Sequence, residues 1–183
     1  MRKRRARTVA KIGQGIGVGA MEFAYLAGAN VIALYINEDR LAFCKKNLHV
    51  KEIINGTNGS LKQLLEITNG DMPSVVIDAT GNLKAINHGF QYVAQGGKYI
   101  LIGLQKEDIC FSHTEFHKRE ATLMSSRNAT REDFNHSISA IKSKQINPKT
   151  FITQTVLFEN IKEEFNRLLL AENGVIKAMI EMK

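Results

Sequence analysis

The sequence predicts an α/β fold built on a doubly wound parallel sheet with helices on both faces, followed by a C-terminal α/β extension. Three observations predict it. Short apolar runs alternate with helical patterns from Val9 to Leu104, the rhythm of right-handed βαβ units. Two of these runs, Asn30–Ile36 and Ser74–Ala79, are apolar throughout their centres, as strands buried on both faces are. A cluster of glycines at Gly13, Gly15, Gly17 and Gly19 separates the first run from the first helical pattern, where a Rossmann-type fold places its nucleotide-binding turn.

The elements follow in order. Val9–Ile12 is a short first strand interrupted by Lys11. Ile16–Ala27 is helical, with Phe23, Leu26 and Ala27 on one face, and Gly28 stops it. After the strand Asn30–Ile36, Asn37 is placed to cap a helix through Arg40, Leu41, Phe43 and Cys44. Glu52–Ile54 is a short strand and Ser60–Thr68 a helix carrying Leu61, Leu64, Leu65 and Ile67. Asn69-Gly70-Asp71 forms a turn, and Pro73 ends the helical pattern before the strand Ser74–Ala79. Leu83–Val93 is helical, and Gly96-Gly97 turns it into the strand Lys98–Ile102.

Beyond Gly103 the rhythm changes. Ile109–Ser112 and Ala121–Ser125 read as short strands. Arg131–Lys144 is a helix capped by Thr130, with Phe134, Ile138 and Ile141 in register. Phe151–Phe158 alternates as a strand does, Ile161–Leu170 is helical, and Gly174 leads into a last strand, Val175–Met182. The organisation expected is a basic tail at 1–8, a dinucleotide-binding domain at 9–145 and an extension at 146–183.

Composition bounds the function. A chain of 183 residues buries a sizeable core, and no apolar run is long enough to span a bilayer. The basic start is not followed by the apolar stretch of a signal peptide, and Cys44 and Cys110 form neither a C-x-x-C pair nor zinc-finger spacing. A cytoplasmic setting with reduced core thiols is therefore expected. The net charge of +7 comes mostly from Arg2, Lys3, Arg4, Arg5 and Arg7; the other 20 basic residues nearly balance 18 acidic ones. This arm reads first as a solvated tail, because no aromatic side chains are interleaved to stack bases. The string His113-Thr114-Glu115-Phe116-His117 misplaces the acid of an H-E-x-x-H zinc motif, and no nucleophile–base set is present, so neither a metal nor a catalytic residue is assigned.

The turn at Gly13–Gly19 is suited to an anion. Glycines let the backbone approach a pyrophosphate, and the helix start offers free N–H groups and the positive end of its dipole. Further stretches carry a more specific signal: Val18-Gly19-Ala20-Met21-Glu22-Phe23-Ala24, Val76-Ile77-Asp78-Ala79-Thr80-Gly81-Asn82, Ile102-Gly103-Leu104, Glu115-Phe116-His117-Lys118-Arg119-Glu120 and Ser126-Arg127-Asn128-Ala129-Thr130. On these residues the segment from Gly17 to Met182 resembles the cofactor-binding half of zinc-type medium-chain alcohol dehydrogenases, and is most similar to sorbitol- and sugar-acid-5-dehydrogenase-like members.

The resemblance implies that the chain binds NAD. It implies cofactor contacts at Gly13, Gly15, Ile16 and Gly17, at Ala79 and Thr80, at Ile102, Gly103 and Leu104, and at Arg127. Two departures touch that site. The turn is one residue short if Gly17 is the third glycine of the family turn; alternatively Gly15-x-Gly17-x-x-Ala20 satisfies G-x-G-x-x-A with a later helix start. The acid that would accept bonds from the adenosine ribose is here Tyr35. Losing a charge-assisted bond of roughly 1.5–3 kcal/mol weakens NAD by about one to two orders of magnitude. The same change removes a barrier to the 2′-phosphate of NADP, which Arg40 is placed to pair; a weakened NAD site ranks ahead of an NADP site.

Family members also carry a GroES-like domain with the catalytic zinc ligands, which has no counterpart in these residues. The expectation is a truncated, zinc-less form with weak or no turnover, whose Val175, Ile176, Met179 and Ile180 are exposed or repacked and which is marginally stable or self-associating. Ile109–Ser112 falls where members join sheets, implying a homodimer through that edge strand. A non-enzymatic dinucleotide-binding or interaction module is the rival reading, and nucleic-acid binding through the basic tail ranks third.

Overall fold

The computed structural model describes residues 8–12, 17–170 and 173–182, so Gly13, Gly15, Ile16 and the basic arm lie outside the described residues. The chain divides into two compact units, Met1–Asn128 and Ala129–Lys183. In the first unit, β1 (Thr8–Ile12), β2 (Asn30–Tyr35), β3 (Glu52–Asn55), β4 (Val75–Asp78), β5 (Lys98–Leu101) and β6 (Thr122–Ser125) form one sheet in the order β3-β2-β1-β4-β5-β6. Every adjacent pair is parallel. Parallel strands need crossovers, and α1 (Gly17–Leu26), α2 (Glu38–Asn47), α3 (Ser60–Ile67) and α4 (Leu83–Gly89, continued by a 3-10 turn at Phe90–Tyr92) supply them. This is the doubly wound Rossmann-type arrangement that the sequence predicts.

Local chemistry accounts for the boundaries. Val31, Ile32, Ala33 and Leu34 of β2 are all buried, as befits a strand covered on both faces. Asn37 Oδ1 accepts the Arg40 N–H at 2.9 Å and opens α2. Asn82 opens α4 in the same way through the Ala85 N–H. One core joins Ala10, Ile32, Leu34, Ile54, Val76 and Tyr99 of the sheet to Leu64, Ile86 and Phe90. The buried Glu22 of α1 is met by His49, whose backbone N–H donates to it at 3.1 Å and whose ring stacks on Tyr25.

Two expectations in this unit fail. Ile109–Ser112 is not a strand. Ile109 packs on the core, Phe111 stacks on Phe90 with ring centroids 4.3 Å apart, and the Cys110 N–H donates to Asn87 Oδ1. Ser112 then caps a further helix, α5 (His113–Lys118), by accepting the Glu115 N–H. The apolar alternation thus records anchoring to the core, not ladder pairing, and the sheet ends instead at β6, whose four residues are exposed. Cys110 is also exposed instead of being a core thiol, because its neighbours Ile109 and Phe111 take the inward positions; Cys44 is half-buried.

The second unit contains α6 (Arg131–Lys142), β7 (Ile152–Leu157), α7 (Ile161–Leu169) and β8 (Lys177–Glu181). Thr130 and Asp133 form a reciprocal capping box at the start of α6. β7 and β8 pair in parallel. Ala140, Ile146 and Val156 are buried, whereas the in-register Phe134, Ile138 and Ile141 are exposed, as are Met179 and Ile180. No helix among the described residues is long and apolar enough to cross a membrane.

Candidate functional site

The strand order reverses between β1 and β4, and the carboxyl edge of the sheet at such a switch point is where open α/β sheets bind ligands. A cleft of about 900 Å³ lies at that edge, lined from the ends of β2, β3 and β4. Tyr35 and Ile36 from the end of β2, Gly56 and Thr57 after β3, Ala79, Thr80 and Asn82 after β4, and Lys84 and His88 of α4 all line it. Among the described residues no carboxylate lines the cleft, while Lys84 and His88 do. Ile36 is 68% exposed, an apolar side chain standing bare at the rim.

The loop after β4 is held rigidly from below. Asp78 is fully buried, and its Oδ1 accepts both the Thr80 backbone N–H at 2.8 Å and the Thr80 hydroxyl at 2.7 Å. Thr80 Oγ1 in turn accepts the Asn82 N–H. The Tyr99 hydroxyl donates to the Ile86 carbonyl at 2.9 Å and approaches Asp78 Oδ2 at 3.4 Å. Burial pushes the Asp78 carboxyl up, against the bonds from Thr80 and Tyr99, which favour its charged form. Burial also pushes the Tyr99 phenol up, assisted by the neighbouring Asp78 charge, so it remains a donor.

Two glycines let the loops after β4 and β5 close on each other. Gly81 has φ +62°, and a Cβ there would sit 2.7 Å from the Leu104 carbonyl oxygen. A Cβ at Gly103 would lie 2.3 Å from the Gly81 nitrogen. The Ile102 and Gly103 N–H groups both donate to the Asp78 carbonyl. Leu104, next along, is 88% exposed at the same edge.

The structure therefore brings Tyr35, Ala79 and Thr80 around one cleft and packs Gly103, between Ile102 and Leu104, against the loop of the latter two. Gly17 is buried as the first residue of α1. Arg40 sits in the first turn of α2 and does not line the cleft. Arg127 leaves the same carboxyl edge in the loop after β6 and is exposed. Thr57, Lys84 and His88 escaped the sequence reading, since each lies in a loop or on a helix with no signature spacing. Lys11 escaped it too. The sequence treats it as a flaw in a strand, yet it is a full member of β1, 2% exposed, with its amine lowered to about 8 by burial and held up in part by Cys44 and Asp78. Among the described residues no three His, Cys, Asp or Glu side chains gather as metal ligands.

Comparison with known proteins agrees with this geometry. Residues 15–143 match the family model of zinc-binding dehydrogenases. L-galactonate-5-dehydrogenase from Escherichia coli is 32% identical over 170 residues, covering 92% of this chain and 50% of that protein. An alcohol dehydrogenase from Thermotoga maritima superposes with TM-score 0.84 at 21% identity, over 100% of this chain and 52% of that one. A short chain alcohol dehydrogenase from Escherichia coli, solved with the cofactor NADH, gives TM-score 0.85 at 21% identity, over 96% and 52%. The chain spans about half the length of the curated relatives it matches.

Proposed function

Because the chain belongs to the zinc-type medium-chain alcohol dehydrogenase family, as its nucleotide-binding half, we propose that it binds NAD(P) as the cofactor portion of an alcohol or polyol dehydrogenase. The observation that carries this reading is the convergence of Tyr35, Ala79 and Thr80 on one cleft at the carboxyl edge of the sheet. The residues of that cleft would hold the adenosine half of a bound dinucleotide, and the loops that meet at Gly81 and Gly103 would support its nicotinamide end. Bound NAD supplies the hydride acceptor; the residues of this chain bind it, orient it and exclude water from one side of it. The zinc-dependent step that activates an alcohol belongs to residues outside this constellation. These 183 residues by themselves thus bind cofactor without turning over. Incubated with NAD, zinc and a panel of polyols they yield no NADH, whereas NADH titrated against them gives a saturable fluorescence change. Formation of NADH would overturn the first statement, and absence of saturable binding the second.

Tyr35 sets the cofactor preference. A tyrosine at the end of β2, in a cleft where no described residue is a carboxylate, does not repel the 2′-phosphate of NADP, and it lacks the acceptor pair that an acid offers the NAD ribose. Tyr35→Asp tightens NAD roughly tenfold and weakens NADP by a similar factor, from one charge-assisted bond gained and one charge repulsion introduced. Calorimetric titration of both cofactors checks this; parallel changes for the two would remove Tyr35 from the ribose site.

A further inference from the structure

The chain carries four Asn-Gly steps, at Asn55, Asn58, Asn69 and Asn173. Such a step can rearrange without an enzyme. The glycine backbone nitrogen attacks the asparagine Cγ, a five-membered imide closes, and the side-chain nitrogen leaves as ammonia. Water then opens the imide. Cleavage of the new N–Cγ bond gives aspartate; cleavage of the original peptide bond gives isoaspartate, whose main chain runs through Cβ. Glycine favours the attack because it has no Cβ to obstruct it. Closure needs a free glycine nitrogen and a carboxamide able to swing onto it, so the fold decides which step reacts.

Three of the four steps are held. Asn55 Oδ1 accepts the Thr57 N–H at 2.9 Å and the Thr57 hydroxyl at 2.8 Å, and its Nδ2 donates to Glu38. The Gly56 N–H donates to the Tyr35 carbonyl at 2.9 Å. At Asn69 the Gly70 N–H donates to the Leu65 carbonyl at 2.7 Å. In the second unit Asn173 Nδ2 donates to the Arg167 carbonyl at 2.7 Å, which fixes the carboxamide.

Asn58 differs. It is exposed, and among the described residues no hydrogen bond holds its carboxamide or the Gly59 N–H. A Cβ at Gly59 would meet nothing within 4 Å, so there is room for the ring. Two features also favour loss of the Gly59 amide proton, which precedes attack. Gln63 Nε2 donates to the Asn58 main-chain carbonyl at 3.1 Å, drawing electrons from that peptide group. Gly59 stands at the start of α3, the positive end of the helix dipole, with no side-chain cap. The place is consequential as well: Thr57 and Gly59, on either side of Asn58, both line the cleft.

We propose that Asn58 is a self-modifying site, whose deamidation puts a carboxylate at the lip of a cleft that has none among the described residues. The chemistry stands on the geometry of Asn58 alone. Its consequence, weaker binding of a phosphorylated dinucleotide, rests on the NAD(P) reading above.

The test has two arms. In the first, the folded chain is aged in warm buffer at neutral and mildly alkaline pH, and peptide mapping by mass spectrometry follows the exchange of NH2 for OH at each of the four asparagines. Asn58 converts first, and faster at the higher pH. In urea, where every step is freed, the four rates converge. Conversion of Asn55 or Asn69 as fast as Asn58 in the folded chain would overturn the proposal, as would an intact Asn58 once the urea-unfolded chain has converted. In the second arm, NADPH is titrated against the fresh chain, the aged chain, Asn58→Asp and Asn58→Gln, whose longer side chain does not close the five-membered ring. Affinity falls about two- to fivefold in Asn58→Asp at low salt and recovers at high salt, as for repulsion between charges across solvent. The aged chain moves toward Asn58→Asp, while Asn58→Gln keeps its affinity through ageing. Unchanged affinity in Asn58→Asp, or a loss that salt does not relieve, would overturn the effect of the charge on the cleft. Failure of the fresh chain to bind NADH or NADPH would remove the dinucleotide reading, and the mapping alone would then decide the modification.

Discussion

Gly103→Ala lowers the stability of the first unit by about 3 kcal/mol and removes measurable dinucleotide binding. The cause lies at the carboxyl edge of the sheet. A Cβ at Gly103 meets the Gly81 nitrogen at 2.3 Å and the Ala79 carbonyl carbon and Thr80 nitrogen at 3.0 Å. All three are backbone atoms of the loop that lines the cleft, and this loop cannot yield. Asp78 clamps Thr80 through two hydrogen bonds, and Gly81 is fixed at a positive φ against the Leu104 carbonyl. The added methyl therefore separates the ends of β4 and β5, displacing Ala79 and Thr80 from the cleft. Urea denaturation with NADH titration checks both effects. A variant that melts normally and binds normally would mean that the two loops do not need this contact. Gly28→Ala is a useful contrast: a Cβ there meets nothing, so only the strain of φ +79° is added, far from the cleft.

Much of this site is legible in the sequence because it depends on local chemistry. The burial of β2 on both faces follows from an unbroken apolar run, and Asn37 and Thr130 open helices because short polar side chains can accept an N–H three residues on. The turn after β4 is likewise local, since Asp78, Thr80 and Asn82 bond within four residues of one another. What sequence periodicity does not reveal depends on who the neighbours are. Ile109 and Phe111 alternate as a strand would, but their partners are the core and Phe90, some twenty residues earlier in the chain. Phe134, Ile138 and Ile141 form a regular stripe whose exposure no period discloses. Lys11 breaks an apolar run, and only the absent side chain of Gly17, folded against it, shows that the lysine has a made place.

Tyr99→Ala is expected to have the largest effect on stability of any single change in the first unit, about 4 kcal/mol. Tyr99 is fully buried in β5 and sits edge-on to Phe90 at 4.8 Å. Its hydroxyl reaches into α4, where it donates to the Ile86 carbonyl, and a Cβ at Gly89 would lie only 2.1 Å from it. One side chain thus joins sheet to helix and places a donor near Asp78. Truncation leaves a ring-sized cavity and removes partners from a buried carboxylate and a carbonyl at once. Against a typical domain stability of about 5–15 kcal/mol, this change populates unfolded chain near room temperature. Tyr99→Phe keeps the ring and loses only the donor, for about 1 kcal/mol. The difference between the two variants in urea midpoint isolates the packing contribution. Near-equal losses would place the stabilisation in the hydroxyl network instead. In that case Asp78→Asn, whose single carboxamide oxygen can accept from Thr80 while its NH2 cannot accept from Tyr99, would lower stability as well.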